Sequence, residues 1–395
     1  MGQAITRLRA FTGVAMPIAS LPALRSWGTC QNVASPEQRA MVDFVLGLRM
    51  GAPNSSFFGH APKFQGCRCS PLEAPRPLNP AGTLEAPQGA TMTTPLTMPS
   101  VEATDLWKRY GDRDVVQGVS LAVERGQMLG LVGPNGSGKT TTIRMVLDII
   151  RPDRGTVRLF GGRISQAAQA KIGYLPEERG LYKGQRVLPT LVYLAELKGI
   201  ARAEAQTRAY EMLERVGMAE HANKKVRELS RGMGQLVQFA ATVLHRPSFI
   251  VLDEPFSGLD PVNARIMKEV MGELNQQGTS ILFSTHQMTD VEELCDNVVM
   301  INRGATVLNG PLLDIKLQYA DNAVYLETAA PFTSPGSAVE VAERGRGHLI
   351  RLRPGTAPEI MLRELLDAGV RVDRYELATP SLEEIFIRIV GEADA

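Results

Sequence analysis

No stretch of this 395-residue sequence stays apolar over the roughly 20 residues that a helix needs to cross a bilayer. Its longest apolar runs, such as residues 14–24, are short and broken by proline. The chain is therefore expected to be soluble, and any part it plays at a membrane would need a partner. Cysteine is scarce. Cys30, Cys67, Cys69 and Cys295 are too few for a disulfide framework. Cys67 and Cys69 have no second ligand pair at a suitable spacing, so no zinc site is expected. An excess of one charge is missing too, with 43 Lys and Arg against 42 Asp and Glu. The first hundred residues hold eight basic and four acidic side chains, which leaves the remainder at about −3. No basic excess in the body of the chain argues for nucleic acid as a partner, and none is expected.

Proline, by contrast, is concentrated: twelve of 25 fall in the first hundred residues, including Pro71, Pro75, Pro77 and Pro80. Residues 1–98 show no sustained period beyond a short stretch from 36 to 50. Such a segment buries too little apolar surface to offset its chain entropy, so disorder is expected there. Three further readings compete for it. Arg7, Arg9 and Arg25 precede any acid, as in an organelle presequence. Gly2 followed by Thr6 matches a myristoylation pattern. Translation from Met92 or Met98 would make the extension a misread start.

Order is expected from Val101. Residues 115–124 alternate as a strand does, and residues 128–132 form a short apolar run entering a glycine-rich loop. Ile143, Val146, Leu147 and Ile150 share helical spacing, which predicts a helix over 140–150. Residues 190–245 read as mostly helical, and residues 249–252 and 280–284 as buried strands of a mainly parallel sheet. Beyond Leu317 short strands and two helices, over 358–366 and 381–390, suggest a small α+β domain.

The loop Gly133-Pro134-Asn135-Gly136-Ser137-Gly138-Lys139-Thr140-Thr141 has the P-loop spacing, with a strand before it and a helix after it. Glycines let successive N–H groups turn toward phosphate oxygens, and the helix start adds a positive dipole end. Lys139 suits the β- and γ-phosphates, and the Thr140 hydroxyl suits Mg²⁺. About 110 residues on, an apolar strand ends in Asp253 and Glu254. Asp253 suits the Mg²⁺ side, and Glu254 suits the orienting or deprotonation of attacking water. Solvated acids at an ordinary strand end are the plainer reading of that pair. His286 follows another apolar strand at the end where α/β sheets bind ligands, although a lone histidine there is more often structural.

Between these motifs lies Leu229-Ser230-Arg231-Gly232-Met233, which resembles the signature motif of ATP-binding cassette (ABC) proteins. The order matches as well: Tyr110 as the aromatic A-loop, the P-loop, Glu177 as the Q-loop, Ser230 with Gly232, Asp253 with Glu254, Asp260 in the D-loop, and His286. The resemblance covers residues 101–317. It implies an α/β fold, a P-loop NTPase cassette with a mainly parallel sheet, an antiparallel β part and a helical subdomain near 178–245. A small C-terminal α+β domain over 320–395 would follow.

The resemblance further implies ATP and Mg²⁺ as cofactors, with Thr140, Asp253 and Glu177 on the metal and Glu254, His286 and Lys139 in catalysis. It implies a head-to-tail dimer with a second cassette, ATP lying between the P-loop of one copy and the signature of the other. Tyr110 would stack on adenine. A transmembrane permease would seat a short helix in a groove lined by residues 174–197, where Leu181, Tyr182, Leu191, Tyr193 and Leu194 are unusually apolar. The protein would then be cytoplasmic, peripheral on the inner face of the cell membrane. Glu177 in place of Gln, and Arg231 and Met233 in the signature, are similar to the sodium- and drug-export branch of bacterial cassettes, as is the segment 378–386. The expected function is the ATPase subunit of an exporter. A soluble ABC ATPase acting on ribosomes or DNA, and an inactive cassette serving as an interaction module, are the alternatives. The C-terminal domain reads either as a cap or dimer contact, or as a regulatory element.

Overall fold

The computed structural model describes residues 98–178 and 180–393. The expectations for residues 1–97 lie outside them. Strand β1 (Val101–Tyr110) pairs antiparallel with β2 (Arg113–Val123) and β4 (Arg154–Leu159), and β4 with the short β5 (Gly162–Arg163). These four make an antiparallel sheet in the order β2-β1-β4-β5.

A second sheet holds β3 (Met128–Val132), β6 (Ile172–Leu175), β7 (Phe249–Asp253), β8 (Ser280–Thr285), β9 (Asn297–Asn302) and β10 (Ala305–Pro311). Its order is β10-β9-β3-β8-β7-β6, parallel throughout except for β10. Every residue of β3, β6, β7 and β8 is buried, which is why these strands read as continuous apolar runs. The pleat still sorts them. Ile250 and Leu252 face one core, together with Phe239 and Phe283, while Phe249 and Val251 face another with Leu106, Val119 and Ile143.

Helix α1 (Lys139–Val146) follows β3. Then come the one-turn α2 (Gln166–Gln169), α3 (Val187–Leu197), α4 (Arg202–Arg215) and α5 (Arg231–Val243). Helices α6 (Pro261–Gln276), α7 (Met288–Leu294) and α8 (Leu312–Gln318) complete this part. The helix expected over 140–150 stops at Val146. Leu147 caps it by bonding back to the Ile143 carbonyl, and Asp148 takes φ 57°, a left-handed turn that short polar side chains tolerate. No helix among the described residues is long and apolar enough to cross a membrane.

A third sheet, β12 (Ala338–Arg344), β13 (Gly347–Leu352), β11 (Ala323–Thr328) and β14 (Val372–Leu377) in that order, carries α9 (Pro358–Asp367). Val324, Leu326, Ile350, Leu352, Met361 and Leu365 make its core. The last helix, α10 (Leu382–Ala393), turns away from that core. Its Leu382 and Ile385 are fully buried among residues of α7 and α8.

Candidate nucleotide site

The parallel strands bring four segments to one sheet end. The loop after β3, the end of β7, the end of β8 and the segment after β6 are neighbours because β6, β7, β8 and β3 are neighbours. The loop after β3 cannot carry side chains where it bends hardest. A Cβ on Gly133 would sit 2.1 Å from the Ile301 carbonyl oxygen. Gly138 holds φ 108°, and a Cβ there would meet the Val115 carbonyl oxygen at 2.7 Å. Gly138 is also the N-cap of α1 and offers no side-chain acceptor, so the first N–H groups of the helix face the loop without one. Pro134, Asn135 and Gly136 form the exposed rim, Ser137 is buried, and Thr140 and Thr141 are half-buried at the first turn.

Lys139 is buried and folded back into this loop. Its Nζ donates to the carbonyls of Gly133 at 2.8 Å and Pro134 at 3.3 Å. The same nitrogen lies 3.4 Å from Glu254 Oε1, a charge contact without hydrogen-bond geometry. The other Glu254 oxygen lies 2.9 Å from His286 Nδ1, and the Glu254 backbone takes φ 48°. Asp253 accepts from Ser284 Oγ at 2.5 Å and Thr140 Oγ1 at 3.2 Å. Burial, only partly opposed by these two hydrogen bonds, pushes its carboxyl up to about 6.

Three buried side-chain oxygens here have no hydrogen-bond partner: Ser137 Oγ, Asp253 Oδ2 and Glu254 Oε1. Buried polar atoms are rarely left so. Together with the glycine cradle they fit a phosphate-bearing ligand and an accompanying cation. Glu177 is exposed just after β6, and its charge reaches Asp253, where it helps to raise the carboxyl. Tyr110 is 49% exposed at the end of β1, with Lys108 Nζ 5.7 Å from its ring centre.

Three expected residues lie in a different setting. Ser230 is the N-cap of α5, accepting from Met233 N at 3.3 Å, with Gly232 buried behind it. Asp260 caps α6, accepting from Val262 and Asn263 backbone N–H, both at 3.0 Å. Those hydrogen bonds, with the Asn263 N–H foremost, hold its carboxyl below the usual range. Arg231 lies between them, its side chain where a Cβ on Gly258 would be, so the two loops touch. Ser284 was not anticipated. Its neighbour Asp253 is its register partner across β7 and β8, a pairing that no local motif reveals.

Comparison with known proteins agrees with this geometry. A family model described as ABC transporter matches residues 116–257. A second, described as the C-terminal domain of DrrA1-3-like ATP-binding proteins, matches residues 310–390. The chain is 40% identical over 287 residues to the uncharacterized ABC transporter ATP-binding protein YhaQ of Bacillus subtilis, covering 72% of this chain and 96% of that one. It is 36% identical to the Nod factor export ATP-binding protein I of Ralstonia nicotianae, covering 74% and 94%. A solved ATP-binding subunit of an ABC transporter, 31% identical, superposes with a TM-score of 0.52 over 55% of this chain and 92% of that one. With the loop, the paired acids and the histidine gathered at one sheet end, the chain belongs to the ATP-binding subunits of the ABC transporter family.

Proposed function

We propose that this chain is the ATP-hydrolysing subunit of an exporter, and that it energises a separate transmembrane permease. The observation that carries the reading is the contact of Lys139 and His286 with the two oxygens of one buried carboxylate, Glu254. The export relative and the DrrA1-3-like C-terminal part favour the outward direction. Residues 101–317 serve as the motor cassette and residues 320–395 as its accessory domain.

The chemistry follows from the side chains. Gly133 to Thr141 and the start of α1 receive the phosphates through backbone N–H groups. Lys139 then exchanges Glu254 for phosphate oxygens, which removes the cation from that side of the carboxylate. Glu254, freed on that side, orients water and takes its proton, while His286 holds the other oxygen and faces the γ-phosphate. Thr140, Asp253 and Glu177 would hold Mg²⁺, which when bound neutralises phosphate charge. Tyr110 offers its face to adenine. Ser230 and Gly232 at the start of α5, with Asp260, address the nucleotide of a second cassette in a head-to-tail dimer. Of the apolar residues expected to line a permease groove, Leu181 and Leu191 are core, Leu194 packs against that core, and Tyr182 and Tyr193 are half-exposed.

The test is phosphate release from MgATP by the purified chain, followed by co-purification from a mild detergent. Turnover that depends on Glu254, and recovery with an integral membrane protein, are expected. Turnover by a chain that recovers no integral membrane protein from the detergent extract would favour a soluble ATPase.

A further inference from the structure

Next to Tyr182 two chain segments are zipped together. The Val187 N–H donates to the Lys224 carbonyl at 3.0 Å, Leu188 to Ala222 at 2.9 Å, Val226 to Gln185 at 2.9 Å, and Arg227 to Lys183 at 3.0 Å. At the centre Arg186 and Lys225 face each other across an isolated antiparallel bridge. The result is one island of Lys183, Arg186, Lys224, Lys225 and Arg227, all exposed except the half-buried Lys225. None of the five has an ion-pair partner among the described residues. The one carboxylate in the stretch, Glu228, accepts from the Lys225 backbone N–H at 3.0 Å.

Like charges directly opposite on paired strands destabilise the pairing. This chain places two cations that way in a body whose net charge is about −3. Folding alone gives no reason for it, and an external anion does. The island is exposed along both segments, and half-exposed Tyr182 and Tyr193 lie on the same subdomain. An extended negative surface suits that shape better than a single phosphate, and tyrosine suits the interface between headgroups and water.

We propose that the island formed by residues 183–186 and 224–227 is a contact for anionic lipid headgroups, holding the helical subdomain against the membrane. The proposal rests on the reading that Tyr182 and Tyr193 face a membrane subunit, since that orientation turns the island toward the bilayer.

The test is sedimentation of the full-length protein with vesicles of phosphatidylcholine, alone or mixed with phosphatidylglycerol. Binding is expected only to the anionic vesicles, weakening as salt rises. The triple variant Lys183→Gln, Arg186→Gln, Lys224→Gln should partition about a hundredfold less. Its solution ATPase rate should be unchanged and its melting temperature no lower, because a repulsion has been removed. Equal binding to neutral vesicles, no binding at all, or undiminished binding by the triple variant would overturn the proposal. So would a triple variant that binds vesicles like the parent but no longer co-purifies with the membrane protein, since the island would then meet an acidic protein surface. If the parent chain co-purifies with no membrane protein, the functional reading fails, while the vesicle comparison still decides the lipid contact.

Discussion

His286 Nδ1 stands 2.9 Å from one oxygen of Glu254, while Lys139 Nζ stands 3.4 Å from the other. Glu254 is thus shared between a lysine folded back into the glycine loop and a histidine that is 43% exposed. The carboxylate is held on one side by Lys139 and on the other by His286. On the proposed reading, phosphate binding at Lys139 releases the Glu254 base.

Glu254→Gln keeps the size and removes the proton acceptor. ATP binding should persist while turnover falls by about two to four orders of magnitude, the usual worth of a positioned general base. Phosphate release and nucleotide affinity measured on the same sample check this. A variant retaining most of its turnover would remove Glu254 from the chemistry.

Asp253 makes stability depend on pH in a stated direction. Its carboxyl is pushed by burial up to about 6, against about 3.9 in an unfolded chain. Between those values the folded protein binds more protons than the unfolded one, so this group's contribution to stability falls as pH rises from about 4 through 6. Asp253→Asn should therefore melt higher than the parent at pH 7.5, by roughly a few degrees, with a smaller gain at pH 5. It should lose ATPase activity. A gain that does not change with pH would contradict the buried, raised carboxyl.

Tyr110 belongs to none of the three buried clusters, and Lys108 Nζ lies near its ring. Tyr110→Phe should be nearly silent. Tyr110→Ala should raise KM for ATP by about five- to a hundredfold, the range that a lost base–aromatic stack gives. Equal effects from both substitutions would point to the hydroxyl instead.

Most of what was legible in the sequence is local. The glycine spacing of 133–138, the apolar strands ending in Asp253 and before His286, and the alternating elements beyond Leu317 are all short-range patterns. Long-range partnerships were not. Ser284 reaches Asp253 only because β7 and β8 align Asp253 with Ser284, and register is fixed by the whole sheet. Asp260 read as a nucleotide residue, and in the folded chain its oxygens also cap α6, a local role hidden behind the motif. Helix α1 ends at Val146 because Asp148 turns left-handed, although the apolar spacing continues to Ile150.

The last helix makes the final case. Leu382 and Ile385 are fully buried against α7 and α8. One oxygen of Glu292 on α7 accepts both the Leu382 N–H at 2.7 Å and Lys316 Nζ on α8 at 3.1 Å. Ser381 and Glu384 close a reciprocal cap at the helix start, with Ser381 N donating to Glu384 at 2.7 Å and Glu384 N to Ser381 Oγ at 3.2 Å. Helix α7 begins two residues after His286, so α10 braces the helix that follows the histidine. Leu382→Ala opens a cavity in a fully buried site and should cost about 2–5 kcal/mol. Glu292→Ala leaves a backbone N–H and a lysine without their acceptor and should cost about 1–3 kcal/mol. Because the two residues are in contact, through the Leu382 N–H that alanine retains, the double variant should depart from their sum. Chemical denaturation of the full chain measures all three. Turnover should fall with Leu382→Ala while ATP affinity holds, since the nucleotide contacts are elsewhere and only the footing of His286 is loosened. Unaltered stability and turnover would show that α10 is carried by the cassette without bracing it.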